Sequence, residues 1–188
     1  MKTSIDPTTE IHPTAYVNPE NVIIEKNVII GPLSAVGING LFTARDYIVT
    51  GKKYRKDLKG QLIIRENSDI GALNAIVLGS EENDQTIIDK NVLIGNCNSI
   101  GHDSFIGEET IVTVNTTILG HVVIGKKCRI GPGAIIRERI KVGDGAIISM
   151  GAVVTQDVEP GKRVTGNFAI DHDLFLTDLK EKISQETS

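Results

Sequence analysis

The sequence predicts an all-β chain wound into a three-sided parallel β-helix, and three observations predict it. An Ile or Val recurs every six residues from Ile88 through Ile94, Ile100, Ile106, Val112, Ile118, Ile124, Ile130, Ile136, Val142 and Ile148 to Val154. Four places after the aliphatic residue comes a small or medium one, as at Ser104, Thr110, Thr116, Cys128, Ala134, Ala146 and Ala152. The composition is 40% hydrophobic with 4% aromatics, no Trp and 19 Gly, so the core is aliphatic and the corners are tight. A six-residue period does not keep to one face of a 3.6-residue helix, and the run is far longer than any single strand. A chain that bends after each six residues satisfies both. Three bends close a coil of about 18 residues, with the aliphatic residue inward and the small residue filling the corner, and each coil buries its core against its neighbours.

The elements follow in order. Ile11, Val17, Ile24, Ile30 and Val36 carry the same repeat, with one extra residue between Val17 and Ile24. The first break runs from about residue 38 to 60 and carries Arg45, Lys52, Lys53, Arg55, Lys56 and Lys59. A loop of that length inside a solenoid is usually functional, and it reads as a flap that reaches a neighbouring subunit and touches phosphates. Ile64, Ile70 and Ile76 resume the register, and residues 80–85, SEENDQ, form a second, acidic break that reads as a corner bulge without chemistry of its own. The repeat stops at Glu159-Pro160-Gly161. The expected domain spans residues 1–170. Residues 171–188 are expected to form a helical cap over the open end, with Phe175, Leu179 and Ile183 on one face and Asp171 or Asp173 as cap.

Composition excludes several classes. A net charge of −4 does not favour nucleic acid. Two cysteines make no disulfide framework, and Cys97 and Cys128 read as small buried thiols within the repeat. No apolar run nears the roughly 20 residues of a membrane span, and MKTSIDPTTE lacks the apolar stretch of a signal peptide, so a soluble, cytoplasmic chain is expected.

His12 and His172 read as structural or solvated. His102 and His121 stand 19 residues apart, so one coil brings residue 121 over residue 103. His102, Asp103, Gly120 and His121 then share one corner on adjacent coils, with Glu138 and Arg139 extending the column. A histidine titrates near working pH and suits the base that takes a proton from an attacking hydroxyl or amine. A carboxylate beside it fixes its tautomer. A corner glycine lets a reacting carbonyl approach a backbone N–H.

Residues 11–160 resemble the hexapeptide-repeat acyltransferase family, which implies a left-handed helix and a homotrimer with intersubunit active sites. Residues 101–125, GHDSFIGEETIVTVNTTILGHVVIG, resemble the active-site segment of the UDP-N-acetylglucosamine acyltransferases. That resemblance implies His102 as general base paired with Asp103, the Gly120 N–H as oxyanion donor and His121 as a substrate-binding group. Asn115 falls in the asparagine stretch between the histidines, and Asn98, Asn115, Arg137 and Arg139 are expected as further substrate contacts. Ser99 and Arg137 stand where those enzymes have histidines, and only about 20 residues follow the solenoid. Gly166-Asn167-Phe168-Ala169 resembles the Gly-Asn-Pro-Ala ending of acetyl-CoA-using members, with Phe for Pro. This implies acetyl-CoA or another acyl-CoA as donor, met by Gly133, Gly151, Lys162, Arg163 and Asn167, with acyl-carrier protein as the other donor.

The expected activity is acyl transfer from acyl-CoA to an amino sugar, nucleotide-linked and destined for surface polysaccharide, with no metal required. An acyl-carrier-protein-dependent O-acylation of UDP-N-acetylglucosamine is the alternative. A γ-type carbonic anhydrase would need a His-x4-His pair for its zinc, which the sequence lacks. A non-catalytic solenoid would not need His102 and His121 on one corner.

Overall fold

The six-residue period becomes a short strand followed by a corner, repeated around three faces. In a computed structural model, residues 1–40 and 58–166 are described, together with His172, Asp173, Leu176, Thr177 and Lys180. Strands of two to four residues stack in three parallel sheets of seven, eight and seven strands. The first face includes Ser4–Ile5, Gln85–Ile88, Phe105–Ile106 and Lys141–Val142; the second Glu10–Ile11, Leu93–Ile94 and Arg163–Val164; the third Tyr16–Val17, Ser99–Ile100 and Val153–Val154. Leu93 pairs with Ile111 and Ile111 with Arg129, so the coil advances by the expected 18 residues.

The repeating aliphatic residues form the core. Ile64, Ile88, Ile106 and Ile124 stack on the first face at 0% exposure. Each such side chain contributes about 1.5–3 kcal/mol of burial. The fourth corner position also points inward, and Ser104, Thr110, Thr116, Cys128, Ala134, Ala146 and Ala152 are all buried. The third corner position is left-handed, as at Asn67 (φ 59), Asn91 (φ 55), Asp103 (φ 58) and His121 (φ 59). Asn tolerates this region better than most residues. Cys97 occupies this third position (φ 61) and is exposed, which corrects the expectation of two buried thiols; only Cys128, at a fourth position, is buried.

The three corners differ in chemistry. Between the first and second faces the second corner position alternates in charge through Lys26, Glu66, Lys90, Glu108, Lys126 and Asp144. Lys26 and Lys90 each lie 3.0 Å from Glu66, and Lys126 lies 3.7 Å from Glu108. Between the second and third faces the corner is apolar, with Leu33, Leu73, Val114 and Met150 at 61%, 52%, 38% and 64% exposure. Between the third and first faces lie the irregularities of the repeat among the described residues. The extra residue after Val17, the break entered after Gly40 and left at Leu58, and the bulge at 79–84 fall on this one edge.

His172, Asp173, Leu176, Thr177 and Lys180 are helical and exposed. Asp171, Phe175, Leu179 and Ile183, the rest of the expected cap, lie outside the described residues, as do Arg45, Lys52, Lys53, Arg55 and Lys56 of the basic break. No helix among the described residues is long and apolar enough to cross a membrane.

Candidate active site

His102, Asp103, Gly120 and His121 meet on the corner between the third and first faces. His102 takes the second corner position of its coil and His121 the third position of the next, and the His121 N–H donates to the His102 carbonyl at 2.8 Å. His102 Nδ1 lies 2.7 Å from Asp103 Oδ2, and His121 Nε2 lies 3.6 Å from the same oxygen. The two rings are edge to face with centroids 4.9 Å apart. Both imidazoles are partly open, at 25% and 35% side-chain exposure, above a carboxylate that is only 9% exposed.

Glycine at 120 makes room for the base. A Cβ at residue 120 would fall 2.7 Å from His102 Nε2, so the ring occupies the space a side chain would fill. Gly101 is equally constrained, because a Cβ there would meet the Gly120 nitrogen at 2.6 Å. Among the hydrogen bonds of the described residues, the Gly120 N–H donates none, while its carbonyl accepts from the Arg139 N–H at 3.1 Å. At some other corners the second-position N–H takes a side-chain oxygen, as Lys126 donates to Asp144 Oδ1 and Ala72 to Asn96 Oδ1. An N–H of this kind beside an imidazole Nε2 is what a developing oxyanion requires.

The electrostatics set distinct charge states. Burial alone would raise the Asp103 carboxyl, but hydrogen bonds from Ser80 and His102 outweigh it and hold it below the usual carboxylate range. Burial pushes the His121 imidazole down; Asp103 opposes this and Arg139 and His102 add to it. At neutral pH the corner therefore presents an ionised carboxylate and an uncharged His121 ring.

Asp103 has partners that the sequence did not reveal. Its Oδ1 accepts the Ser80 N–H at 2.8 Å, and its own N–H donates to Thr86 Oγ1 at 2.9 Å. The acidic break is thus packed beneath the histidine pair. Donor atoms of His102, Asp103 and His121 lie within 4.8 Å of one another, the set among the described residues that could hold a metal ion. Two ligands of one tetrahedral zinc stand about 3.4 Å apart at bond lengths near 2.1 Å, so the 2.7 Å His102–Asp103 contact is a hydrogen bond and not a prepared pair of ligands.

The other expected site residues separate into groups. Arg137 and Arg139 lie exposed in the histidine column, one coil on. Asn98, Asn115, Gly133 and Gly151 occupy the corner between the second and third faces and do not join His102 within one chain. Asn98 fills its corner. It is 2% exposed, its amide donates to Asn74 Oδ1 and the Thr113 carbonyl, and its oxygen accepts the Thr116 N–H. Lys162 and Arg163 are exposed at the end of the second face, where Arg163 Nε donates to Ser149 Oγ at 3.2 Å. Asn167 lies outside the described residues. His12 is exposed, with Nδ1 2.9 Å from Thr14 Oγ1. A cavity of about 300 Å³ lined by Val154, Thr155, Val158, Val164 and Gly166 sits at the C-terminal end of the coil, away from the histidines, which occupy an outer edge.

Comparison with known proteins agrees with this architecture. The family model described as bacterial transferase hexapeptide (six repeats) matches residues 121–156. A 2,3,4,5-tetrahydropyridine-2,6-dicarboxylate N-acetyltransferase of Staphylococcus aureus is 42% identical over 64 residues, covering 33% of this chain and 27% of that protein. A chloramphenicol acetyltransferase of Agrobacterium fabrum is 54% identical over 48 residues, covering 26% and 23%. The chain thus spans about a quarter of the length of these two curated relatives. A UDP-N-acetylglucosamine acyltransferase from Bacteroides fragilis has the same fold with a TM-score of 0.74 at 18% identity, over 91% of this chain and 64% of that one. The Arabidopsis UDP-N-acetylglucosamine acyltransferase gives 0.67 at 21% identity, over 87% and 71%. The fold is a left-handed parallel β-helix, and the chain resembles the hexapeptide-repeat acyltransferases.

Proposed function

We propose that this chain is an acyltransferase that moves an acyl group from acetyl-CoA or another acyl-CoA onto the amino group of a nucleotide-linked sugar. The observation that carries the reading is the His102–Asp103 hydrogen bond of 2.7 Å with His102 Nε2 lodged against Gly120. Asp103 holds Nδ1, which leaves Nε2 to accept the proton of the attacking group. The nucleophile adds to the thioester carbonyl, and the Gly120 N–H meets the oxyanion. The intermediate collapses with loss of the thiolate, and the imidazolium returns the proton to it. His121 and Arg139 hold the acceptor. Lys162, Arg163 and Asn167 meet the donor.

The site is completed by a second copy. His102 sits on an outer edge, and the apolar corner of Leu33, Leu73, Val114 and Met150 is the kind of surface that another copy covers. In a homotrimer the apolar corner of one copy packs beside the histidine corner of the next, so Asn115, Gly133 and Gly151 act from the neighbouring subunit. The acetyltransferase names of the sequence relatives favour CoA as donor. The shared fold with UDP-N-acetylglucosamine acyltransferases supports a second reading, O-acylation of that nucleotide sugar from acyl-carrier protein.

A thiol-release assay decides between them. Acetyl-CoA and an acyl-carrier-protein thioester are each offered with a panel of nucleotide amino sugars and with UDP-N-acetylglucosamine. Acceptor-dependent CoA release with an amino sugar is the expected result. Release only from the carrier protein selects the second reading, and no release from either donor refutes acyl transfer to these acceptors.

A further inference from the structure

The bulge at Ser80–Asp84 breaks the corner where Asp103 sits, and its bonds converge on that residue. At most corners of the coil, the third-position N–H donates to the second-position carbonyl one coil earlier, as His121 does to His102 and Arg139 to Gly120. At Asp103 the bulge removes that carbonyl from reach, and the Thr86 hydroxyl takes the N–H at 2.9 Å. Thr86 is 0% exposed, so this acceptor is shielded from water. The bulge supplies a second hold, the Ser80 N–H on Asp103 Oδ1 at 2.8 Å. Ser80 is fixed in turn: its hydroxyl lies 2.9 Å from Asp84 Oδ2, which also accepts the Glu81 N–H at 3.2 Å. Across the bulge, the Gly60 N–H donates to the Gly79 carbonyl at 3.1 Å, and a Cβ on Gly79 would meet the Asp84 carbonyl at 2.2 Å. The turn is closed on itself, and it aims one N–H at one carboxylate oxygen.

We infer that Asp84, Ser80 and Thr86 are positioning residues for Asp103, holding its carboxylate at the angle that bonds His102 Nδ1. This deepens the acyltransferase reading, although the hydrogen-bond relay itself is independent of the reaction. Asp84 shapes the turn, Ser80 grips one carboxylate oxygen, Thr86 anchors the backbone, and the other oxygen faces both imidazoles. The Ser80 contacts are among those that keep the Asp103 carboxyl low, so loosening the turn moves its titration upward.

The experiment follows the Asp103 carboxyl and the His102 ring nitrogens by NMR across pH in wild type, Asp84→Ala, Asp84→Asn and Thr86→Val. Asp84→Asn keeps an oxygen acceptor and loses the charge, so it should titrate as wild type. Asp84→Ala should raise the Asp103 midpoint by about 0.5 pH unit or more, roughly a threefold change in equilibrium constant, and redistribute the His102 tautomers. Thr86→Val should move both in the same direction by less, and it keeps the test open if Asp84→Ala does not fold. In turnover, Asp84→Ala should lower kcat about tenfold with KM little changed. Wild-type-like titration in both Asp84→Ala and Thr86→Val overturns the inference while leaving acyl transfer intact. Equal shifts in Asp84→Ala and Asp84→Asn overturn it too, because they would show the charge and not the turn at work. If wild type transfers no acyl group, the proposed function fails, and the NMR titrations still decide the relay.

Discussion

Two corners of the same coil use charge in opposite ways. Between the first and second faces, Lys26, Glu66, Lys90, Glu108, Lys126 and Asp144 alternate in sign, with Lys26 and Lys90 paired to Glu66 and Lys126 to Glu108. Glu66 is held below the usual carboxylate range by Lys90 and Lys26, and Lys90 is raised by Glu66. These groups are neutralised in open solvent, where such pairs contribute little. Between the third and first faces, Asp103 is enclosed and bonded on both oxygens, and the cationic partner is replaced by two imidazoles. One corner spends its carboxylates on each other's counter-charges; the other holds one carboxylate against rings that can move protons. The difference teaches that a repeat of constant geometry carries its histidine pair where its register breaks, because every irregularity of the coil among the described residues lies on the histidine edge.

Substitutions at the two corners break or sharpen that contrast. His102→Ala should lower kcat by about 10²-fold or more, the usual cost of a lost general base, while Lys126→Ala on the other corner leaves thiol release unchanged. Gly120→Ala should cost about 10²-fold as well, since the new methyl displaces the ring from its place and a misplacement of about 1 Å suffices for that loss. Gly120 has no left-handed backbone to strain, so its melting temperature should stay near that of wild type. Leu73→Glu should convert the proposed trimer to monomer in sedimentation and remove turnover with it; a monomeric chain of wild-type activity would end the intersubunit account. Arg139→Ala should raise the His121 titration, because the guanidinium is one of the groups that depress it, and the acidic limb of the pH–rate profile should move up in pH if His121 must be neutral to bind the acceptor. The smallest effect is expected for Glu66→Gln, with no change in turnover and a loss of thermal stability that disappears in high salt.

Much of this was legible in the sequence. Ile88 to Val154 fixed the coil, because a six-residue period has few other solutions, and the 19-residue spacing of His102 and His121 placed both rings on one edge. The same arithmetic separates Asn98 and Asn115 from that edge: Asn98 follows Ile94 by four residues and points inward, and Asn115 stands two corners beyond His102. Within one chain, then, neither reaches His102, and a role for Asn115 at the site requires the neighbouring subunit of the proposed trimer. Cys97 and Cys128 likewise differ only by third against fourth position, which decides whether a thiol faces water or core. Ser80, Asp84 and Thr86 were out of reach, because a bulge suspends the register by which a repeat places residues, and backbone N–H groups leave no mark in a sequence.

The most direct test is a crystal structure of the assembled protein with a non-reactive acyl-thioester analogue and the acceptor. The carbonyl oxygen should lie about 3 Å from the Gly120 N–H, with the acceptor nitrogen or oxygen within hydrogen-bond reach of His102 Nε2. A thioester carbonyl bound at the charge-ladder corner, or anywhere beyond the reach of His102, would contradict the account.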